Sequence, residues 1–202
     1  MNSQYEKIIG ENLRNIFKPF PSDLEHLIPA SRKGDSFLFK AFGEDCCLGP
    51  QQIILSGKRE TGPKGVLIAL YVRHAKPDPL TLEPFTAFRD LPGSMPYQGA
   101  FTINSERILI PHAEEISRNR DRVLKAFNGH TVCDYPAGDF SLLLYPLPKI
   151  ALNYVFYLAD EEFSASVTCL FSANAPFFMP MDGLADIAEY TSKKLLEIIK
   201  NL

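Results

Sequence analysis

The sequence predicts an α+β fold: a mostly antiparallel sheet flanked by N-terminal, central and C-terminal helices, within one domain spanning residues 1–202. Three observations carry this reading. Residues 140–145, 150–158 and 165–171 are apolar or alternating runs separated by short breaks, the pattern of neighbouring strands. Helical periodicity sits at the two ends and in the middle of the chain. No internal repeat or domain-sized linker divides the chain, and 202 residues suffice to bury a core without disulfides.

The elements follow in order. Ser3-Gln4-Tyr5-Glu6 has capping-box spacing and opens a helix whose apolar face runs through Tyr5, Ile8, Ile9, Leu13, Ile16 and Phe17. Pro19 and Pro21 stop it, and a short element is expected at 23–27. Residues 37–42 and 52–56 read as strands flanking a loop that carries Glu44, Asp45, Cys46 and Cys47. Residues 57–65 read as a polar loop. The apolar run 66–72 does not separate strand from buried helix by pattern, and a helix under the sheet is preferred.

Pro77, Pro79 and Pro84 make an extended crossing segment, followed by a short strand at 86–89 and a Leu91-Pro92-Gly93 turn. Two helices, 97–110 and 113–127, are expected to part at Pro111, the second ending at Asn128-Gly129. Pro146-Leu147-Pro148 separates the next two strands, and Asp160-Glu161-Glu162 forms the hairpin tip before the last. Asp182 is placed to cap the C-terminal helix, with Leu184, Ile187, Ala188, Leu195, Ile198, Ile199 and Leu202 as its buried stripe.

Composition excludes several functions. Hydrophobic residues make up 46% and charged residues 22%, so wholesale disorder is excluded. The formal charge of −3 gives no basic field for nucleic acid. Arg118, Arg120, Arg122 and Lys125 are interrupted by acids and read as a solvated face rather than a phosphate stripe. The N-terminus lacks the apolar region of a signal peptide, and prolines, Lys149 and Asn153 break 140–159 as a membrane span. A cytoplasmic location with no membrane or nucleic-acid partner is expected. Four cysteines without a Cys-x-x-Cys pair suit free thiols and predict no metal site and no cofactor.

Catalytic signatures fail in turn. In the loop from Gly57 to Lys64, Pro63 stands where a phosphate-binding loop needs its lysine. Neither Gly-x-Gly-x-x-Gly nor Gly-x-Ser-x-Gly occurs. His112-Ala113-Glu114 has the deaminase spacing without the downstream cysteine pair, so His112 is expected at a helix start, bonding a free backbone group. His130 and Cys133, three apart, would point to opposite faces of a strand. The remaining candidates are Arg89 and Asp90 beside a rigid turn, Asp139 before a strand, and the acidic trio Asp160, Glu161 and Glu162. Each stands at an element end, where binding groups are commonly held.

Phe88-Arg89-Asp90-Leu91-Pro92-Gly93, Gly138-Asp139, Leu147-Pro148-Lys149-Ile150, Asp160-Glu161-Glu162-Phe163 and Leu170-Phe171-Ser172-Ala173-Asn174-Ala175 occur in that order. Together, over about residues 66–202, they resemble an uncharacterised prokaryotic family, domain of unknown function 3786. Members come mainly from anaerobes, and some are fused behind a four-cysteine iron–sulfur motif that this chain lacks. The resemblance therefore implies one recurring domain, and it brings no cluster and no catalytic residue.

The functional expectation is a non-catalytic accessory module that binds a small molecule or a protein partner. One alternative is an enzyme in which Asp139 or Glu161 does acid–base chemistry while Arg89 orients an anionic substrate. Another is a structural subunit docking through an exposed apolar patch at Phe177-Phe178-Met179-Pro180-Met181.

Overall fold

The computed structural model describes residues 4–132 and 138–200. Ser3 of the capping box, Cys133 beside His130, and Leu202 of the final stripe lie outside the described residues. Helix α1 (Gln4–Phe17) buries Ile9, Leu13 and Phe17, and the one-turn helix α2 (Leu24–Leu27) follows. The chain then folds into a meander of β1 (Ser31–Lys33), β2 (Ser36–Ala41), β3 (Glu44–Leu48), β4 (Ile53–Leu55) and β5 (Lys58–Arg59), each antiparallel to the last.

The expected cysteine loop is therefore a strand, β3. The tight turn that makes it one is Phe42-Gly43, with φ of 51° and 74°. Two positive φ values match the twist of a two-residue hairpin, normally signalled by Asn-Gly. Here phenylalanine takes the strained position, and its ring is fully buried beside Tyr190. Lys58 and Arg59, expected in a loop, close a second such turn at Ser56-Gly57. On the inner face of the sheet Phe39, Cys46 and Leu55 are paired across strands; Leu38, Cys47 and Ile54 form the outer row.

The apolar run settles as α3 (Pro63–Arg73), with Pro63 in its first turn and Leu67, Ile68, Ala69, Tyr71 and Val72 buried. Apolar groups around most of its circumference explain why periodicity was silent. Glu44 on β3 pairs with Lys64 on α3 at 3.0 Å and with Lys194 at 3.3 Å. Burial would raise the Glu44 carboxyl pKa, but the Lys64 hydrogen bond and both cations outweigh it and hold it below its ordinary value.

A second antiparallel sheet begins with β6 (Thr86–Ala87), shorter than expected because the chain turns into a 3₁₀ turn at Phe88–Asp90. The helix expected over 97–110 is three pieces: α4 (Gln98–Phe101), a π-helical turn Thr102–Glu106, and a 3₁₀ stretch Arg107–His112 that contains Pro111. The next helix is divided into α5 (Ala113–Arg118) and α6 (Arg120–Ala126) by Asn119, whose side-chain amide donates to the Glu115 carbonyl at 2.9 Å. Arg118 pairs with Glu114 at 2.8 Å on an exposed face.

Strands β7 (Phe140–Leu147), β8 (Ile150–Tyr157) and β9 (Ser166–Phe171) complete the sheet in the order β6-β9-β8-β7. β7 runs through Pro146, with a register irregularity between Leu144 and Leu147. β8 is buried from Ile150 to Phe156 on both faces. One face packs on α8 (Met181–Lys200), which buries Leu184, Ile187, Ala188, Leu195 and Ile199. A single buried apolar cluster draws residues from both sheets and from α1, α3 and α8.

The proline-rich crossing segment is fastened by two residues of the quoted motifs. Lys149 is buried, and its ammonium donates to the carbonyls of Lys76 and Asp78 at 2.7 and 2.8 Å. Asn174 donates to the Pro79 carbonyl at 2.8 Å and accepts from the Thr81 amide at 2.9 Å. Within α7 (Ala175–Phe178) and just beyond it, Phe178 and Met179 are buried, leaving Phe177 exposed with Lys76 5.6 Å above its ring. The docking patch expected at 177–181 is therefore not formed, because the last helix covers its centre.

Candidate functional site

The site starts from the shortness of β6. It pairs only Thr86 with Phe171 and Ala87 with Leu170. Beyond that pairing, the edge of β9 would leave the Cys169 N–H unmatched, a costly group when buried. The side chain of Glu106 supplies the acceptor: Cys169 N–H donates to Glu106 Oε1 at 3.1 Å.

The π-helical turn puts Glu106 there. Such a turn widens a helix by one residue and is stable only when neighbours hold it. α8 does so from behind: Asn104 donates to Glu189 Oε2 at 2.9 Å, and the Ser192 hydroxyl donates to the Ser105 carbonyl at 2.6 Å. Ser192 in turn lies 3.0 Å from the Tyr154 hydroxyl, which donates to the Ala188 carbonyl at 3.1 Å. Burial raises the pKa of both Tyr154 and Cys169 well above their ordinary values, so both stay neutral behind Glu106.

In front of Glu106 lies a cavity of ≈ 250 Å³. Arg89, Gln98, Thr102 and Thr168 line it with Glu106, over the rings of Phe88 and Phe101. Those rings stack at 4.2 Å with 14° between their planes, and both touch Phe171. The Gln98 amide donates to Thr102 Oγ1 at 3.0 Å, while its carbonyl oxygen is buried with no hydrogen-bond partner among the described residues. Burial raises the Glu106 carboxyl pKa; the Cys169 amide, the Arg89 charge and the Thr102 hydroxyl each offset part of that rise. A carboxyl in such surroundings, opposite a cation and in a concave site, makes this cavity the candidate site.

The six expected site residues fall in two places. Arg89 reaches the cavity, and its neighbour Asp90 pairs loosely with it at 3.9 Å. Asp139 lies elsewhere, at the start of β7, and accepts the Leu158 N–H at 2.6 Å. Asp160 accepts the amides of Glu162 and Phe163 at 2.8 and 2.7 Å, which folds the hairpin tip and holds its carboxyl below the ordinary value. Asp139 and Asp160 share an open hollow of ≈ 440 Å³ with Tyr157 and Phe163. Glu161 and Glu162 are exposed on the same tip. The structure thus brings Asp139 and Asp160 together, without Arg89.

Glu106, Gln98, Thr102 and Thr168 were missed. Three of them carried a signal: Gln98, Thr102 and Glu106 recur every fourth residue, a polar stripe inside an apolar stretch read as helix. Cys46, expected in a loop, stands on a strand instead. It is buried on β3, and burial, together with Cys47 and Glu60, pushes its thiol pKa far up, which disfavours the nucleophilic thiolate. Cys47 is half-buried in an apolar hollow of ≈ 480 Å³ with Leu38 and Ile54. His112 does stand at a helix start, but its ring faces the Glu115 carboxylate at 3.5 Å. Among the described residues no group of three or more His, Cys, Asp or Glu gathers as for a metal, and no helix is long and apolar enough to cross a membrane.

Comparison with known proteins gives one match. The family model for a domain of unknown function, DUF3786, covers residues 21–194, beginning well before the segment in which the motifs were read. No curated protein and no solved structure matches the chain.

Proposed function

The chain belongs to the DUF3786 family, and from its own geometry we propose that it is a small-ligand-binding module whose site is the cavity between Arg89 and Glu106. The observation that carries this reading is Glu106 itself. Its carboxyl is part-buried at a strand edge, opposite a cation with which it makes no close ion pair, and a neutral side chain would satisfy the Cys169 amide equally well. A charge held where burial disfavours it points to use by a ligand. The hairpin acids lack this feature: Asp139 and Asp160 already hold backbone amides, and Glu161 and Glu162 are exposed.

The test is a thermal-shift screen of small charged metabolites on wild type, Arg89→Gln and Glu106→Gln. Compounds that raise the wild-type Tm are expected to lose their effect in both variants, since a ligand stabilises the native state it binds. Shifts that survive both substitutions, or a library in which nothing shifts the wild type, contradict the reading. A second reading, acid–base catalysis, is favoured by the raised Glu106 pKa and moves the role from Asp139 or Glu161 to Glu106. Chemical conversion of a hit by wild type but not by Glu106→Gln would select it.

A further inference from the structure

We propose that the cavity takes a small zwitterion of amino-acid size, its carboxylate on Arg89 and its ammonium on Glu106. The assignment rests on the ligand-binding reading above and adds the chemical class. Size comes first. At about 30 Å³ per water, a cavity of ≈ 250 Å³ displaces roughly eight waters and admits a molecule of comparable heavy-atom count.

Charge comes next. The cavity is lined by one cation and one carboxylate that interact through space without a close pair, and the only acid near Arg89 among the described ion pairs is the exposed Asp90 at 3.9 Å, which a ligand carboxylate can displace. A dianion such as phosphate would meet Glu106, and a simple cation would meet Arg89. A molecule with both signs answers both.

Hydrogen-bond inventory gives the orientation. Glu106 is an acceptor with a second oxygen beyond the one that takes the Cys169 amide, and an ammonium brings three donors and no acceptor. Arg89 is a donor fork suited to a planar carboxylate. Glycine, alanine, serine and valine fit these limits; basic and aromatic amino acids exceed the volume.

The titratable and charged groups that reach Glu106 are Arg89 from the 3₁₀ turn, Cys169 from β9 and Tyr154 from β8. Cys169 and Tyr154 stay neutral, so the pH response of binding follows Glu106. An ammonium ligand gains affinity as Glu106 ionises, that is, as pH rises. A ligand with a carboxylate alone gains affinity as pH falls and Glu106 protonates.

The test is calorimetric titration of wild type, Arg89→Gln and Glu106→Gln with glycine, alanine, serine and valine, and with propionate and isopropylamine as single-charge analogues of alanine. At least one amino acid is expected to bind wild type roughly tenfold or more tighter than either analogue. Each substitution is expected to weaken it by roughly ten- to a hundredfold, and affinity should rise with pH from 5 to 8. Propionate binding as tightly as the amino acids, more strongly at low pH and lost in Arg89→Gln, would overturn the zwitterion and leave the site standing. Amino-acid binding that persists in both variants, or no binding by any of the six probes, overturns the zwitterion; persistence in both variants also removes the site.

Discussion

Replacing Phe101 by alanine lowers stability by about 3–5 kcal/mol, the range for truncating a buried phenylalanine. Phe101 is buried and stacks on Phe88, and both rings lean on Phe171 from β9. The three rings join α4, the 3₁₀ turn and the second sheet, so the space left cannot be refilled by one neighbour. For a chain of this size each kcal/mol moves Tm by about 2–4 °C, which gives a fall of roughly 10 °C. Urea unfolding should show a lower midpoint with unchanged slope. The same substitution removes the floor of the cavity, so any ligand of wild type should bind the variant more weakly at a temperature where both are folded. A loss below about 1 kcal/mol would mean that the ring cluster is not packed as described.

Lys149→Met is expected to cost about 2–3 kcal/mol. Methionine keeps the length of the side chain and its contact with the Phe178 ring, which lies 5.4 Å from the ammonium. What is lost is the pair of charge-assisted bonds to the Lys76 and Asp78 carbonyls. The damage should be local as well as global. Amide exchange at Thr81 and Ala173, whose partners Asn174 and Leu82 bound the fastened segment, should accelerate more than exchange in β8. Unchanged exchange at both amides would show that the crossing segment is held without Lys149.

These two residues also show what was legible in the sequence. The strands of the second sheet, α1 and α8 stood out because each has one buried face, and a periodic pattern is the imprint of such a face. β3 did not, because its turn rests on Phe42, a residue whose ring is paid for by burial rather than by turn chemistry. The break at Asn119 and the π turn at 102–106 were hidden for a related reason. The π turn is set by groups distant in sequence, Glu189 and Ser192 on α8 and Cys169 on β9, and the break by a side-chain bond from Asn119 to the Glu115 carbonyl, while local propensity at both reads as plain helix.

The site divides the same way. Arg89 was found because it flanks a rigid turn, and Asp139 and Asp160 because they stand at strand ends. Glu106 lies inside an apparent helix, and nothing local says that its carboxyl reaches a strand edge 63 residues away. Lys149 and Asn174, drawn from the motifs that carry the family resemblance, serve the fastening of the crossing segment, and Asp139 ties the start of β7 to the end of β8. Those motifs mark architecture more than chemistry.

The central claim is that Glu106 is kept charged for a ligand at the expense of the free protein, and ligand-free stability tests it most directly. Burial raises the folded-state pKa of Glu106 above its unfolded value, so the native state binds more protons than the unfolded state between the two. Stability therefore falls as pH rises through that window, and the full penalty is present above the folded pKa. Glutamine accepts the Cys169 amide through its own oxygen and carries no such penalty. Urea unfolding of wild type and Glu106→Gln at pH 5 and pH 7.5 should find the variant more stable at pH 7.5, with the difference smaller at pH 5. A variant less stable than wild type at pH 7.5, or a difference that does not change with pH, would show that Glu106 is a structural ion and contradict the account.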